Sequence, residues 1–417
     1  MTIADIDGRD DARNLAASFD LAALPPDFYK NPYPYYRALR DHEPVKRMPD
    51  GSWFLSRYDD IVPVYRDFRR FSSDKKKEFG PKFGLTPLFE HHTNSLVFSD
   101  PPAHTRVRRA IVGAISQRHI AAMEPGLVKL VDGLLEAISE KREVDLIEAF
   151  AAAIPIGIIG NLLGVPRDER APLRGWSLEI LGALEPVLTA ERATRGNRAV
   201  TDMLAYLKVL VDDRRTHLRN PDTDVLTRLI VGENDDEGLT ETQLLHQCIF
   251  LLNAGHETTT NLIGNALQAL SVWPDQKAQL VARVGDAEAM KTAVEEFLRY
   301  ESSVQLGNRI TTEQVQIGGF ELAADSHITL GIGAANRDPA QFPEPDRLDI
   351  AREPNRHLAF ASGIHTCAGI NLARLEARVA LSRFLARFPR YTLTVDPVRD
   401  SRARFRGFLQ LRATLTP

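Results

Sequence analysis

Apolar residues recur with a period near 3.6 over most of this chain, and turn residues break the pattern at only a few places. From Pro102 to about Leu298 the helical period dominates, with breaks near Gly164-Val165-Pro166, at Asn220-Pro221 and over Gly232 to Gly238. The longest predicted helix begins at Thr240, whose hydroxyl stands three residues before Gln243 as a capping box, and its apolar pattern runs to about Trp273. That is a span on the order of 45–50 Å. Most faces of Cys248–Leu252 and of Leu262–Leu270 are apolar, so this helix is expected to cross the interior. Upstream, Pro32 opens a helical pattern through Leu39, and Val45 to Leu55 reads as a hairpin about the turn Pro49-Asp50-Gly51. Asp59 has the position of a helix cap. β structure returns at Asn308 to Ile332, with a turn at Gly318-Gly319, and a last pair of strands falls within Tyr391 to Leu415. The fold class expected is mainly α with minor β. Residues 1–20 read as a flexible arm and 21–417 as a single domain.

Composition narrows the functions open to such a chain. With 417 residues and 43% hydrophobic content it can bury a large core. A formal charge of −4 gives no reason to expect nucleic acid or a membrane surface as partner. No apolar run reaches about 18 residues, and Met1 to Asp20 is too polar for a signal peptide or anchor, so a cytoplasmic protein is expected. Two cysteines, Cys248 and Cys367, make no disulfide framework.

Candidate chemistry concentrates around Cys367. Alone it could be an inert core cysteine. It follows a Gly-containing loop, however, and precedes the periodic run Ile370 to Phe384, which places its sulfur at a helix N-terminus where N–H groups and the dipole favour thiolate. Such a sulfur can ligate iron. Gly363 and Gly369 allow tight turns beside a flat macrocycle. The pattern Phe360-x-x-Gly363-x-His365-x-Cys367-x-Gly369 resembles the heme-binding loop of the cytochrome P450 superfamily of heme-thiolate monooxygenases, with Ala361 where bacterial members usually have a second Gly.

The resemblance implies the cytochrome P450 fold, a long central helix over a heme with a small β-rich region, and it assigns roles residue by residue. On the long helix, Ala254-Gly255-His256-Glu257-Thr258-Thr259 puts charge and hydroxyls into an apolar run, which is costly when buried unless they are bonded or used. Ala254 and Gly255 would leave room for dioxygen, Thr258 would donate a hydrogen bond to it, and Glu257 would pass protons from solvent. His256 would be a spacer pointing away. Glu296, Arg299 and Arg347 match a structural network. His104 and Arg108, at helical i, i+4 spacing, together with Arg309 and His365, match the partners of the heme propionates. Heme b is expected, since no Cys-x-x-Cys-His attachment motif is present.

Substrate contacts implied by the family are Phe250, Asn253, Ala254, Val304, Gln305 and Phe405, with the segments Phe71–Phe98 and Trp176–Val211 beside them. Lys75-Lys76-Lys77 reads as a solvated run, or alternatively as an anchor for an acidic ligand. The expected reaction inserts one oxygen atom from O2 into a small to medium organic substrate. Electrons are expected from a separate ferredoxin and its reductase, docking on Arg106, Arg109, Arg374 and Arg378. The rival reading is a heme-thiolate protein that only binds gas or ligand, to which a proton relay at Glu257 and Thr258 would be of no use.

Overall fold

The long helix forms as its pattern requires. The computed structural model describes residues 9–115, 117–221, 224–231 and 238–416, and within them Glu241–Val272 is one helix of 32 residues. Thr240 accepts from the Gln243 backbone N–H while the Gln243 side chain accepts from the Thr240 N–H, closing the capping box. Leu262 to Leu267 is buried on every face. Helices Ala153–Leu163, Ala171–Gly182, Ala190–Thr216 and Ile370–Arg387 pack around it. Its burial is therefore a tertiary one, with neighbours on all sides.

The β-rich part is a five-stranded sheet ordered Val45–Arg47, Trp53–Leu55, His327–Gly331, Leu306–Thr311, Phe71–Ser72. The predicted hairpin is present in the register Val45 to Leu55, and Gly51 takes φ +84° in its turn. The Gly318-Gly319 turn, with φ of +55° and +83°, joins Val315–Ile317 to Phe320–Leu322. Sheet and helical body carry separate apolar clusters, one around Trp53, Ile61 and Leu330, the other around the central helix.

Three expectations differ in detail, and two fall partly outside the described residues. Arg57, not Asp59, caps the helix Tyr58–Arg66, and Asp59 lies in its first turn, where a carboxylate still favours the dipole. Residues 1–8 and 232–237, which hold part of the expected arm and most of the Gly232–Gly238 break, lie outside the described residues. From Arg9 to Ala17 the expected arm is a helix, tied down because Ala16 is buried and Phe19 packs edge-on against Phe54 at 5.3 Å. The C-terminal part contains four short strands, among which Arg412–Thr414 pairs with Glu143–Asp145 far upstream.

Candidate active site

The Cys loop is built by local bonds. The Cys367 N–H donates to the Phe360 carbonyl at 3.0 Å, and the Thr366 hydroxyl and N–H both donate to the Gly363 carbonyl. Gly363 has φ +72°, and a Cβ there would stand 2.3 Å from the Tyr65 carbonyl oxygen, so its glycine answers to the backbone of another helix. Ala361 has φ +56°, a left-handed conformation that glycine would adopt without strain. Gly369 caps the helix Ile370–Arg387.

Cys367 is exposed, and what it faces is an internal cavity of about 360 Å³. Cys248 is fully buried in the central helix and lies off that cavity. Burial raises the Cys367 thiol pKa, while the Gly369 N–H, Arg108 and Arg374 pull it down without prevailing.

From the central helix, Phe250, Asn253, Ala254, Gly255 and Thr258 line the same cavity. The Thr258 hydroxyl donates to the Ala254 carbonyl at 2.9 Å, one helical turn back. Glu257 is buried away from the cavity, where it accepts from Arg402 at 2.5 Å and from the Asn261 amide at 3.1 Å. Burial alone would raise its pKa, but Arg402 leads the contacts that more than offset this and hold it low. His256 is buried too, with neither ring nitrogen partnered and a pKa pushed down to about 4, so it is neutral. Val304 and Phe405 bridge to each other and line the cavity; Gln305 does not, since its amide donates to the Ser302 carbonyl inside the protein.

Four cationic or imidazole groups gather beside the Cys loop. The rings of His104 and His365 lie 4.3 Å apart, and the Nε2 atom of each is buried without a partner. Arg108 donates to the Thr366 carbonyl at 2.7 Å and Arg309 to the Asn308 carbonyl at 2.7 Å. Arg108, Arg309 and His365 line the cavity, and His104 stands behind His365. Burial first, then Arg309, His104 and Arg108, push the His365 pKa down to about 2. Orphaned donors and uncompensated positive charge at one edge of a cavity that holds a cysteine fit a planar iron ligand with two carboxylates.

The structural network is present with one exchange of member. Arg299 Nε and Nη2 each donate to Glu296 at 2.7 Å, both side chains fully buried. The second guanidinium is that of Arg352, whose Nε lies 3.1–3.2 Å from both Glu296 oxygens. The Arg347 side chain turns outward to Glu344 at 3.5 Å, and only its backbone carbonyl serves the network, accepting from Arg299 at 3.1 Å. The docking cations need a similar correction. Arg374 chelates Glu295 and Arg378 binds Glu124 at 2.6 Å, so two of the four expected docking cations are paired with carboxylates, while Arg106 donates to the neutral Gln243 amide. Lys75 is buried against Glu78 and Lys77 reaches Asp325, which removes the solvated reading for Lys75. Sequence reasoning also missed Glu376, nine positions after Cys367. It lines the cavity, has one oxygen without a partner, and is pushed up to about 8 by burial. A carboxylate among apolar helix positions was the available signal.

A thiol and a hydroxyl-bearing helix face one cavity, with unsatisfied donors at its edge, and the class of protein that builds such a site is the heme-thiolate oxygenases, to which its relatives assign this chain. A family model described as Cytochrome P450 matches residues 184–414. The vitamin D(3) 25-hydroxylase of Pseudonocardia autotrophica is 36% identical over 94% of this chain and 95% of its own length. The 6-deoxyerythronolide B hydroxylase of Saccharopolyspora erythraea is 36% identical over 88% and 91%. The structure of P450BioI in complex with hexadec-9Z-enoic acid ligated acyl carrier protein matches with a TM-score of 0.87 at 31% identity, over 94% of this chain and 100% of that one. This chain belongs to the cytochrome P450 family, whose members carry heme b on a cysteine thiolate, and it is a monooxygenase of that kind. No helix among the described residues is long and apolar enough to cross a membrane.

Proposed function

We propose that Cys367 is the thiolate ligand, that Thr258 and Glu257 deliver protons, and that a small to medium organic substrate is oxidised in the cavity they share. The observation that carries this reading is the placement of the Cys367 thiol on the same cavity as Ala254, Gly255 and Thr258. His104, Arg108, Arg309 and His365 hold the propionates, and Phe360 and Gly369 shape the loop beside the ring. Bound heme b supplies the iron that activates O2, so that one oxygen atom enters the substrate and the other leaves as water.

The remaining roles belong to the chain itself. The Thr258 proton is engaged by the Ala254 carbonyl, so the hydroxyl must rotate before it can donate into the cavity. Glu257 is ionised and clamped by Arg402 outside the cavity, and a proton reaches Thr258 through it only when that pair opens. Phe250, Asn253, Val304 and Phe405 hold the substrate. The Ser177 hydroxyl fixes Asn253 by donating to its side-chain oxygen at 2.7 Å. Electrons come singly from a ferredoxin served by its reductase, in the cytoplasm.

The test is the optical spectrum of the reduced protein under carbon monoxide. Wild type and Cys248→Ala are expected to show the strongly red-shifted Soret band of thiolate ligation, and Cys367→Ala to lose it. A wild-type band like that of a His-ligated globin would refute the assignment.

A further inference from the structure

The cavity wall carries a further cation besides the four groups assigned to the heme edge. Arg404, next to Phe405, lines the cavity. Its Nε donates to the Leu184 carbonyl at 3.1 Å and Nη1 to the Leu306 carbonyl at 3.0 Å, while Nη2 has no protein partner among the described residues. Two backbone carbonyls hold the guanidinium plane still with one edge unused. Lys82 stands close enough for Arg404 to help burial lower its pKa to about 8, and its ammonium donates only to the Glu185 carbonyl, at 2.7 Å. Neither cation makes an ion pair among the described residues, and the Glu185 and Glu78 carboxylates act on both charged groups only without contact.

The acids in the neighbourhood are otherwise engaged. Glu78 is taken by Lys75 and His327. Glu185 accepts the backbone N–H groups of Ala403 and Arg404, at 2.6 and 3.1 Å, and burial raises its pKa. Lys82 itself does not line the cavity, but His92 shares the wall with Arg404: it is 2% exposed, lines the cavity, and has an Nε2 atom without a partner. Buried cations without a contacting carboxylate are costly, and an anion supplied from elsewhere offsets that cost. A fixed guanidinium edge suits a carboxylate.

Resting on the reading of this cavity as the substrate site, we propose that the substrate carries a carboxylate, received by Arg404 with Lys82 behind it and His92 beside it. Leu181, Leu184, Phe98 and Phe250 line the rest of the way with apolar surface. They take the body of the molecule, which is oxidised at a carbon remote from its acid end. The anchor fixes one end and Thr258 marks the other, so chain length between them selects the carbon attacked. The lysine run Lys75–Lys77 is not the anchor, since each of the three is paired within the protein.

The experiment compares decanoate with decanamide on the heme-loaded protein, by calorimetry and by the optical shift on displacement of iron-bound water. Wild type is expected to bind the acid at least about tenfold more tightly than the amide, a ratio that one charge-assisted pair sustains. Arg404→Gln should bring the ratio close to one, Arg404→Lys should restore part of it, and Lys82→Met, which leaves both carbonyl bonds of Arg404 in place, should lower it severalfold. An acid-to-amide ratio near one in wild-type protein with an intact thiolate carbon monoxide band would overturn the proposal while leaving the heme site standing. A ratio unmoved by the Arg404 and Lys82 variants would overturn it as well. Loss of the thiolate band in wild type would instead strike the underlying site assignment, and the calorimetric ratio would still decide the anchor.

Discussion

Arg352→Met and Arg347→Met should separate by about 2.5 kcal/mol, although the two arginines stand five residues apart. Arg352 shares its single Nε–H between both buried Glu296 oxygens, at 3.1–3.2 Å, and donates from Nη1 to the part-buried Pro343 carbonyl at 2.7 Å. Hydrogen bonds to charged groups contribute about 1.5–3 kcal/mol each. Arg299 stays bidentate on Glu296, so no bare charge is left and the loss should be about 3 kcal/mol, the low end for breaking a buried pair. Arg347 loses only a 3.5 Å pair between exposed side chains, and its backbone carbonyl survives the substitution. That should cost no more than about 0.5 kcal/mol. Urea unfolding followed by circular dichroism reads the difference: at a slope of about 3 kcal/mol per M, Arg352→Met should lower the midpoint by about 1 M and Arg347→Met scarcely move it. Equal shifts, or a larger one for Arg347→Met, would refute the assignment of Arg352 as the second guanidinium.

Thr258→Ala should keep the carbon monoxide band and accept electrons, yet divert reductant into peroxide; unchanged coupling to a confirmed substrate would remove Thr258 from proton delivery. Ala361→Gly should stabilise the protein by about 1 kcal/mol, because φ +56° costs alanine more than glycine's extra unfolded entropy; a lowered urea midpoint would contradict this. Burial alone would raise the pKa of Glu301, yet Arg406, Arg399 and Arg337 bring it down to about 2. Its folded pKa thus lies below the ordinary 4.5, and its contribution is present above pH 4.5 and lost as pH falls toward 2. Stability measured across that window should fall less steeply in Glu301→Gln than in wild type.

Features carried by neighbouring residues were legible in the sequence. The capping box at Thr240, the Pro49-Asp50-Gly51 hairpin and the Gly318-Gly319 turn each draw their geometry from a few consecutive residues. The Cys loop is also local, and Phe360, Gly369, Ala254 and Thr258 all fall on one cavity. What escaped depends on partners far away in the chain. Arg352 was missed because Arg347 offers the same chemistry five residues earlier, and only folding decides which side chain turns inward. Arg402 meets Glu257 across 145 positions, and nothing near either residue announces the other. The helix Arg9–Ala17 escaped because a short polar segment owes its order to rings at Phe28 and Phe54 that close over Phe19. Arg374 and Arg378 looked available for a partner only while Glu295 and Glu124 were out of sight.

The pairing of Glu143–Asp145 with Arg412–Thr414 has a consequence for how the protein is made. Asp145 accepts the Leu411 N–H from 266 residues away, and Arg404 and Phe405, which complete the cavity wall, lie in the same late stretch. A nascent chain still short of these residues can form the central helix and the Cys loop but has an open flank where the pocket should be. Loop closure over such a separation is slow relative to local helix formation. Capture of the prosthetic group is therefore expected to follow the docking of these late residues, and chains truncated before Arg402 should be helical but heme-poor.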